Sequence, residues 1–117
     1  MPNVWSGLTI DCLDPERVAH FWSELLGRPP GPSETGWVYL GQRGDAQPRL
    51  VFQPVSEPKN GKVRIHLDVS VEDINEAIKS VLSLGGSSTG EQHDYDEGIV
   101  VVMADPEDHE FCLVQYF

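Results

Sequence analysis

The chain has 117 residues, of which 39% are hydrophobic, and its formal net charge is -11 at pH 7. This length and apolar content predict one globular domain that can bury its own core. The negative charge disfavours contact with nucleic acid phosphates or an anionic membrane surface, so neither is an expected partner. No apolar run approaches the roughly 18 residues of a membrane span, and no basic leader precedes an apolar stretch. We therefore expect a cytoplasmic protein.

The first predicted elements are a strand at residues 8–13 and a helix that follows it directly. Asp14 has the side chain of a helix N-cap, and Pro15 suits the first helical position. An apolar stripe at helical spacing predicts the buried face of this helix, formed by Val18, Phe21, Trp22, Leu25 and Leu26. Gly27 permits a left-handed exit, so we expect the helix to end there.

The second half of the chain repeats this order. Strands are predicted at residues 37–40 and 49–55, and a break rich in Pro, Asn and Gly then divides a single domain into modules of about residues 1–58 and 59–117. The second module is predicted to hold a strand at residues 63–69 and a helix at 73–84. A polar loop with at most a short strand is predicted at 87–97, and two more strands follow at 98–104 and 110–117. The pattern predicts an α+β fold.

Alternation of apolar and polar residues assigns two faces to the first strand of each module. The apolar residues, Cys12 among them, are expected to pack under the helices. The polar residues, which include Asp11, His66 and Asp68, are expected on the opposite face. If the two sheets pair edge to edge and curl, these polar faces line one shared concave cleft.

Four stretches of the sequence together indicate a protein family more specifically than any one of them does alone. They are residues 8–15, 20–27, 63–69 and 105–111. In this order they resemble the vicinal oxygen chelate superfamily, in particular its small glyoxalase-like or bleomycin-resistance-like members. The resemblance implies paired strand-helix-strand-strand-strand modules that form a curved mixed sheet around a cleft. It also implies a small-molecule ligand or a divalent metal in the cleft, often in a homodimer.

The metal ligands of the superfamily's metal-dependent members do not all recur in this chain. The resemblance places the two ligand histidines at Gly7 and His66, and the ligand glutamate at Cys112. A divalent ion needs several converging ligands and glycine supplies none, so Cys112, Asp68, Asp11 or a second chain would have to complete the shell. We therefore expect a cleft without a metal and a protein without a cofactor.

His66 is the candidate catalytic residue. Its imidazole could act as a general base or a hydrogen-bond partner on the cleft wall, or Asp68 could simply satisfy it as a structural histidine. Cys112 could be a nucleophile, a soft metal ligand or part of a ligand site. A small buried thiol is the alternative, since no basic group beside it in sequence lowers its pKa. Two cysteines do not make a disulfide framework, so both are expected to be reduced.

Four further residues are candidates for ligand binding. Asp11 and Asp68 would place two carboxylates on the cleft side of neighbouring strands, where they could share a proton, grip a cationic ligand or simply be solvated. Trp37 and Tyr39 share one face of a strand and could form an aromatic wall for a planar or apolar ligand. They could equally pack against the facing sheet or against a dimer partner.

Two clusters of charged residues lie outside the predicted strands or at their ends. Residues 107–110 are rich in groups that could bind a metal, but they belong to a tight turn and are expected to face solvent. Lys59, Lys62 and Arg64 form a basic cluster that could steer an anionic substrate or balance acidic neighbours.

The sequence thus predicts a domain that binds a small organic molecule of unknown identity, in a cleft without a metal. The alternative is an enzyme of the same superfamily, a lyase, isomerase or dioxygenase that uses His66 in metal-assisted or acid-base chemistry. A third reading is an interaction protein or structural homodimer, because exposed sheet edges favour pairing.

Overall fold

The computed structural model describes residues 3–31 and 34–117. The chain divides into two compact units, Met1–Pro58 and Lys59–Phe117. In its described residues the first unit contains one helix and three strands, which are β1 (Gly7–Cys12), α1 (Pro15–Leu26), β2 (Val38–Leu40) and β3 (Arg49–Pro54). Its strands form a sheet in the order β1-β3-β2, in which β3 runs parallel to β1 and antiparallel to β2.

Helix α1 forms where the sequence predicts it. The Asp14 side chain accepts a hydrogen bond from the backbone N–H of Arg17, and Gly27 ends the helix in the left-handed conformation, with φ of 65°. The helix packs on the sheet of its own unit. The core between them is formed by fully buried side chains, among them Val18, Phe21, Trp22, Leu40 and Phe52. Burial of each such side chain contributes about 1.5–3 kcal/mol relative to exposure.

The second unit contains one helix and four strands. They are β4 (Asp68–Ser70), α2 (Ile74–Ser83), β5 (Ser87–Tyr95), β6 (Gly98–Ala104) and β7 (Glu110–Tyr116). The sheet has the order β4-β7-β6-β5, and only the β4 and β7 pair is parallel. Asp73 caps α2 by accepting hydrogen bonds from the backbone N–H groups of Asn75 and Glu76, as a residue at the predicted helix start should.

Helix α2 covers one face of this sheet. Its first backbone N–H, from Ile74, donates to the Gln115 side chain at 2.7 Å. On β7 and its partner β6, the side chains that point to the same face as Gln115 pack under α2. They include Leu113 and Met103, which are buried together with Val81 of α2. The side chains that alternate with them therefore point to the opposite face, which α2 does not cover.

The predicted α+β class is confirmed, because each unit combines a helix with a mixed sheet. In the first unit two strands follow the helix among the described residues, and Pro30 adds a single antiparallel bridge to Leu40. Within residues 3–31 and 34–117, no helix combines the length and apolar character needed to cross a membrane.

Two predictions for the second unit were wrong. Residues 87–97 were expected to form a loop, but Ser87–Tyr95 is a nine-residue strand at the edge of the sheet. All nine residues are exposed, so the strand depends on backbone pairing with β6 and lacks the apolar alternation that marks a half-buried strand. The strand expected at 63–69 begins only at Asp68, which leaves His66 in the segment before it.

In the turn between β6 and β7, Asp108 alone among residues 107–110 is exposed, although that whole segment was expected to face solvent. Asp105 is only 2% exposed. One of its carboxylate oxygens accepts hydrogen bonds from the backbone N–H groups of Glu107 and His109, and the His109 ring atom Nδ1 lies 2.8 Å from the other. Asp108 is exposed and adopts a positive φ of 65°. The buried Asp105 carboxylate therefore holds the turn together from within.

We expect Asp105→Asn to lower the free energy of unfolding by about 1–3 kcal/mol, because an amide replaces a charged acceptor of several buried hydrogen bonds. The matched control is Asp108→Asn, the same change in the same turn at an exposed residue. It should cost less than about 0.5 kcal/mol, since asparagine tolerates the left-handed conformation. Urea unfolding of both variants measures the difference. Equal losses would contradict the role given to Asp105.

Candidate functional site

A cavity of about 350 Å³ lies over the sheet of the second unit, on the face that α2 leaves uncovered. Its floor is apolar and comes from β6 and β7, through Gly98, Val100, Val102, Cys112 and Val114. The strand register explains this floor, because Val102 pairs with Cys112 and Val100 pairs with Val114. These are the residues that alternate with the core side chains under α2.

Polar and aromatic side chains surround this floor. They are Lys62, His66, Asp68, Glu91, His93, Tyr95, Glu97, Glu110 and Tyr116. The sequence pointed to only two of them, His66 and Asp68, as site residues. The members from β5 were missed because that strand was interpreted as a loop, so its alternate residues were assigned to no face of the sheet.

His66, Asp68 and Cys112 meet at one end of the cavity. The His66 ring atom Nδ1 lies 3.1 Å from a carboxylate oxygen of Asp68, and both side chains are about half exposed. Asp68 pairs with Cys112 across the β4 and β7 register. One ligand atom from each of the three residues lies within 4.8 Å of the other two. Backbone pairing of β4 with β7 is thus what brings these side chains together.

The surroundings of the Cys112 side chain favour the protonated thiol. Burial raises its pKa, and the negative charges of Asp68 and Glu91 raise it further, while the more weakly acting Lys62 lowers it. A thiol held in this form is a poor nucleophile, since the thiolate is the reactive species. The environment of Cys112 therefore fits a small buried side chain in a ligand site better than a catalytic nucleophile.

Glu110, at the start of β7, is already paired. Its Oε1 atom lies 2.8 Å from the Lys59 ammonium nitrogen, and its Oε2 atom accepts a hydrogen bond from the backbone N–H of Val63. Burial acts to raise the pKa of Glu110, but its hydrogen bonds with Lys59 and the backbone hold the pKa below its usual value. The carboxylate therefore stays charged and its charge is balanced within the unit.

A second imidazole and carboxylate pair lies on β5. The Nε2 atom of His93 is 2.6 Å from a carboxylate oxygen of Glu91. This hydrogen bond is the main reason why the pKa of Glu91 is lowered. The His93 ring also stacks on Tyr95, with centroids 5.9 Å apart and planes inclined by 24°. Strand β5 thus contributes both charged and aromatic groups to the cavity wall.

The other predicted ligand-binding residues belong to the first unit. Asp11 is an exposed residue of β1, paired in register with Gln53 of β3. Trp37 and Tyr39 are half-buried, and the Arg49 guanidinium lies 4.6 Å from the centre of the Tyr39 ring. Arg49 therefore occupies one face of that ring through a cation–π contact. A role in ligand binding for Asp11, Trp37 and Tyr39 stays a prediction.

The donor groups do not fit the hard divalent ion implied by the superfamily resemblance. Gly7 pairs with Arg49, and a Cβ atom on Gly7 would lie 2.9 Å from the Arg49 carbonyl oxygen, too close without a backbone shift. A histidine there would therefore require the paired backbone of β1 and β3 to shift. At the glutamate position, the protonated Cys112 thiol is a poor ligand for Mn²⁺ or Mg²⁺. A thiophilic ion such as Zn²⁺ matches His66, Asp68 and Cys112 better, but it would have to displace the thiol proton.

Gly7→Ala is expected to lower the free energy of unfolding by about 1–3 kcal/mol, because the added methyl group collides with backbone that pairs β1 with β3. The control is Thr9→Ala at an exposed position of the same strand, which should cost less than about 1 kcal/mol. Denaturant unfolding checks both.

Melting of the unaltered protein should not respond to Mn²⁺ or Mg²⁺. A clear rise in melting temperature would contradict the absence of a hard-metal site.

Comparison with solved structures finds similar folds at low sequence identity. The fosfomycin resistance protein FosX from Listeria monocytogenes, complexed with Mn(II) and sulfate, has a TM-score of 0.80 and 15% identity over 100% of this chain and 93% of its own. A glyoxalase/bleomycin resistance protein/dioxygenase family enzyme from Burkholderia phytofirmans PsJN has a TM-score of 0.77 and 13% identity over 97% of this chain and 98% of its own. A glyoxalase/bleomycin resistance protein/dioxygenase from Nocardioides has a TM-score of 0.74 and 14% identity, and the match covers 100% and 85%.

Comparison with protein families is more direct. No curated protein matches the sequence. A family model described as a glyoxalase-like domain matches residues 7–114, which include every helix and nearly every strand residue of both units. The chain therefore belongs to the glyoxalase-like domain family, within the vicinal oxygen chelate superfamily that its sequence resembles.

Proposed function

We propose that the cavity of the second unit binds a small organic molecule, and that this binding requires neither a metal nor another cofactor. The observation that carries the proposal is the combination of an apolar floor with a polar rim around about 350 Å³. Pockets for small ligands commonly measure about 300–1,000 Å³ and share this construction, in which apolar contacts supply affinity and a few polar groups orient the ligand.

The charges around the floor support binding without a metal. Glu110 is the one glutamate of β7, and recruiting it as a metal ligand would break its 2.8 Å ion pair with Lys59. The remaining candidates, His66 and Asp68, already contact each other. Polar groups arranged in this way can exchange hydrogen bonds with a ligand at little cost, because both side chains are partly solvated.

A cytoplasmic location and a possible homodimer are part of the proposal. Neither Cys12 nor Cys112 forms a disulfide, as the reducing cytoplasm favours. Strand β5 ends the sheet of the second unit and is exposed along its whole length, which offers an edge for pairing with a second copy. Sedimentation velocity measures whether that pairing occurs.

Val100→Trp tests the binding site, because the larger side chain would fill the cavity from its floor. In a fragment screen followed by amide chemical shifts, ligands of the unaltered protein should perturb Val100, Val102 and Val114. The substitution should weaken their binding by about tenfold or more. Gln92→Trp is the control, because Gln92 alternates with the β5 residues that line the cavity and therefore points to the other face of the sheet. A screen in which no ligand perturbs this floor would refute the proposal.

A second candidate function is favoured by the His66 and Asp68 pair. A carboxylate 3.1 Å from an imidazole nitrogen can orient the ring and fix which of its nitrogens faces a substrate, which is the support a general base requires. On this reading the protein is a lyase, isomerase or dioxygenase that acts on a small oxygenated compound, with His66 as the acid-base group.

His66→Ala separates this second function from simple binding. Loss of a general base typically lowers kcat by about 10²- to 10⁴-fold, so the variant should lose turnover of any substrate found while it still binds that substrate. His93→Ala removes the other imidazole of the cavity and should leave kcat within about a factor of ten. If the His66 variant keeps full turnover, acid-base catalysis by His66 is ruled out.

A further inference from the structure

We infer that the ligand of this cavity is an organic cation, in which an ammonium or amidinium group is joined through a short apolar chain to a planar ring. The inference rests on the proposed function, because it assigns a chemical class to the molecule bound at the same site. It follows from the excess of carboxylates around the cavity and from the aromatic groups at one end of it.

The charged groups of the cavity wall are mainly negative. Four carboxylates line it, together with one lysine, Lys62, and two imidazoles. Lys59 balances Glu110, whereas Asp68 and Glu91 contact only imidazoles at ion-pair distance among the residues that the structure describes. The four carboxylates outnumber Lys62 and Lys59, so the wall carries a formal excess of negative charge. A neutral or cationic ligand can enter such a cavity, while an anion is disfavoured.

Two carboxylates flank the Cys112 end of the floor. A carboxylate oxygen of Asp68 lies within 4.8 Å of the Cys112 sulfur, and Glu91 lines the cavity from β5. These carboxylates lie on strands at opposite edges of the four-stranded sheet, on either side of Cys112. The surface above Cys112 is therefore negative, and it is the position at which a cationic group gains most.

The opposite end of the floor is shaped for a ring. Gly98 pairs with Tyr116 on one side and with Tyr95 on the other. A Cβ atom on Gly98 would collide with the Gln115 carbonyl oxygen, so a side chain there would require the paired backbone to shift. The bare backbone between two half-exposed tyrosines forms a slot in which a planar group can contact aromatic surface.

The separation of the two ends sets the length of the ligand. Cys112 and Tyr116 are four residues apart on β7, which corresponds to about 13 Å at roughly 3.3 Å per residue. The tyrosine side chains shorten the gap that a ligand must span. A phenyl ring joined to an ammonium group by four methylene groups therefore suits the cavity.

Three probes of nearly identical shape test the charge of the ligand. They are 4-phenylbutylamine, 4-phenylbutan-1-ol and 4-phenylbutyrate, which carry a positive, a neutral and a negative group. Titrations followed by amide chemical shifts in low-salt buffer should give the tightest binding for the amine. We expect the alcohol to bind about five to ten times more weakly and the carboxylate more weakly still. Added salt should weaken the binding of the amine alone.

Substitutions then locate the cationic group. Asp68→Asn and Glu91→Gln should each weaken the amine by roughly three- to tenfold and leave the alcohol nearly unchanged. Asp94→Asn is the matched control, because Asp94 is an exposed acid of β5 that does not line the cavity. It removes the same net charge as Asp68→Asn, and it should change neither affinity by more than about twofold.

The outcomes of these titrations distinguish the ligand class from the binding site. Equal binding of all three probes at the Val100 and Val114 floor, or preference for the carboxylate, overturns the cation and leaves the binding site intact. An equal effect of Asp94→Asn and Asp68→Asn also overturns it, since the preference would then come from net charge. If no fragment of any charge perturbs this floor, the proposed binding function fails as well.

Discussion

Backbone pairing of β7 with β4 on one side and β6 on the other is the constraint on which the second unit depends. Because side chains alternate along a strand, this register directs Leu113 into the core under α2 and Cys112 and Val114 to the cavity floor. The same pairing sets Asp68 beside Cys112. A slip of one residue would exchange the two faces, so the stability of the core and the composition of the cavity are fixed together.

Close backbone pairing also explains why a single substitution would not restore the ligand set of the superfamily's metalloenzymes in this chain. At Gly7 the Arg49 carbonyl occupies the space that a side chain would need, and at Glu110 a lysine already neutralises the carboxylate. Cys112 adds a buried thiol, which keeps its proton beside Asp68. Restoring a hard-metal site would thus require changes in strand geometry as well as in ligand identity.

Much of the fold could be predicted from sequence, and less of the site. Helix α1 was predictable because Asp14, Gly27 and the apolar stripe are local signals, and the family resemblance supplied the order of elements. Strand β5 was not, since an exposed edge strand has no apolar periodicity and depends on pairing with β6. The burial of Asp105 likewise depends on three-dimensional contacts. His66 and Asp68 were found through alternation and resemblance, whereas the residues of β5 that line the cavity gave no such signal.

Strand β5 has a consequence for how the family can diversify. Three of its side chains, Glu91, His93 and Tyr95, line the cavity, yet every residue of the strand is exposed. Substitutions at exposed positions usually change the free energy of unfolding by less than about 0.5 kcal/mol. The charge and aromatic character of one cavity wall can therefore change at almost no cost to folding, whereas changes to the floor would alter buried residues such as Cys112 and Val114. Selection for a new ligand would act first on this edge strand.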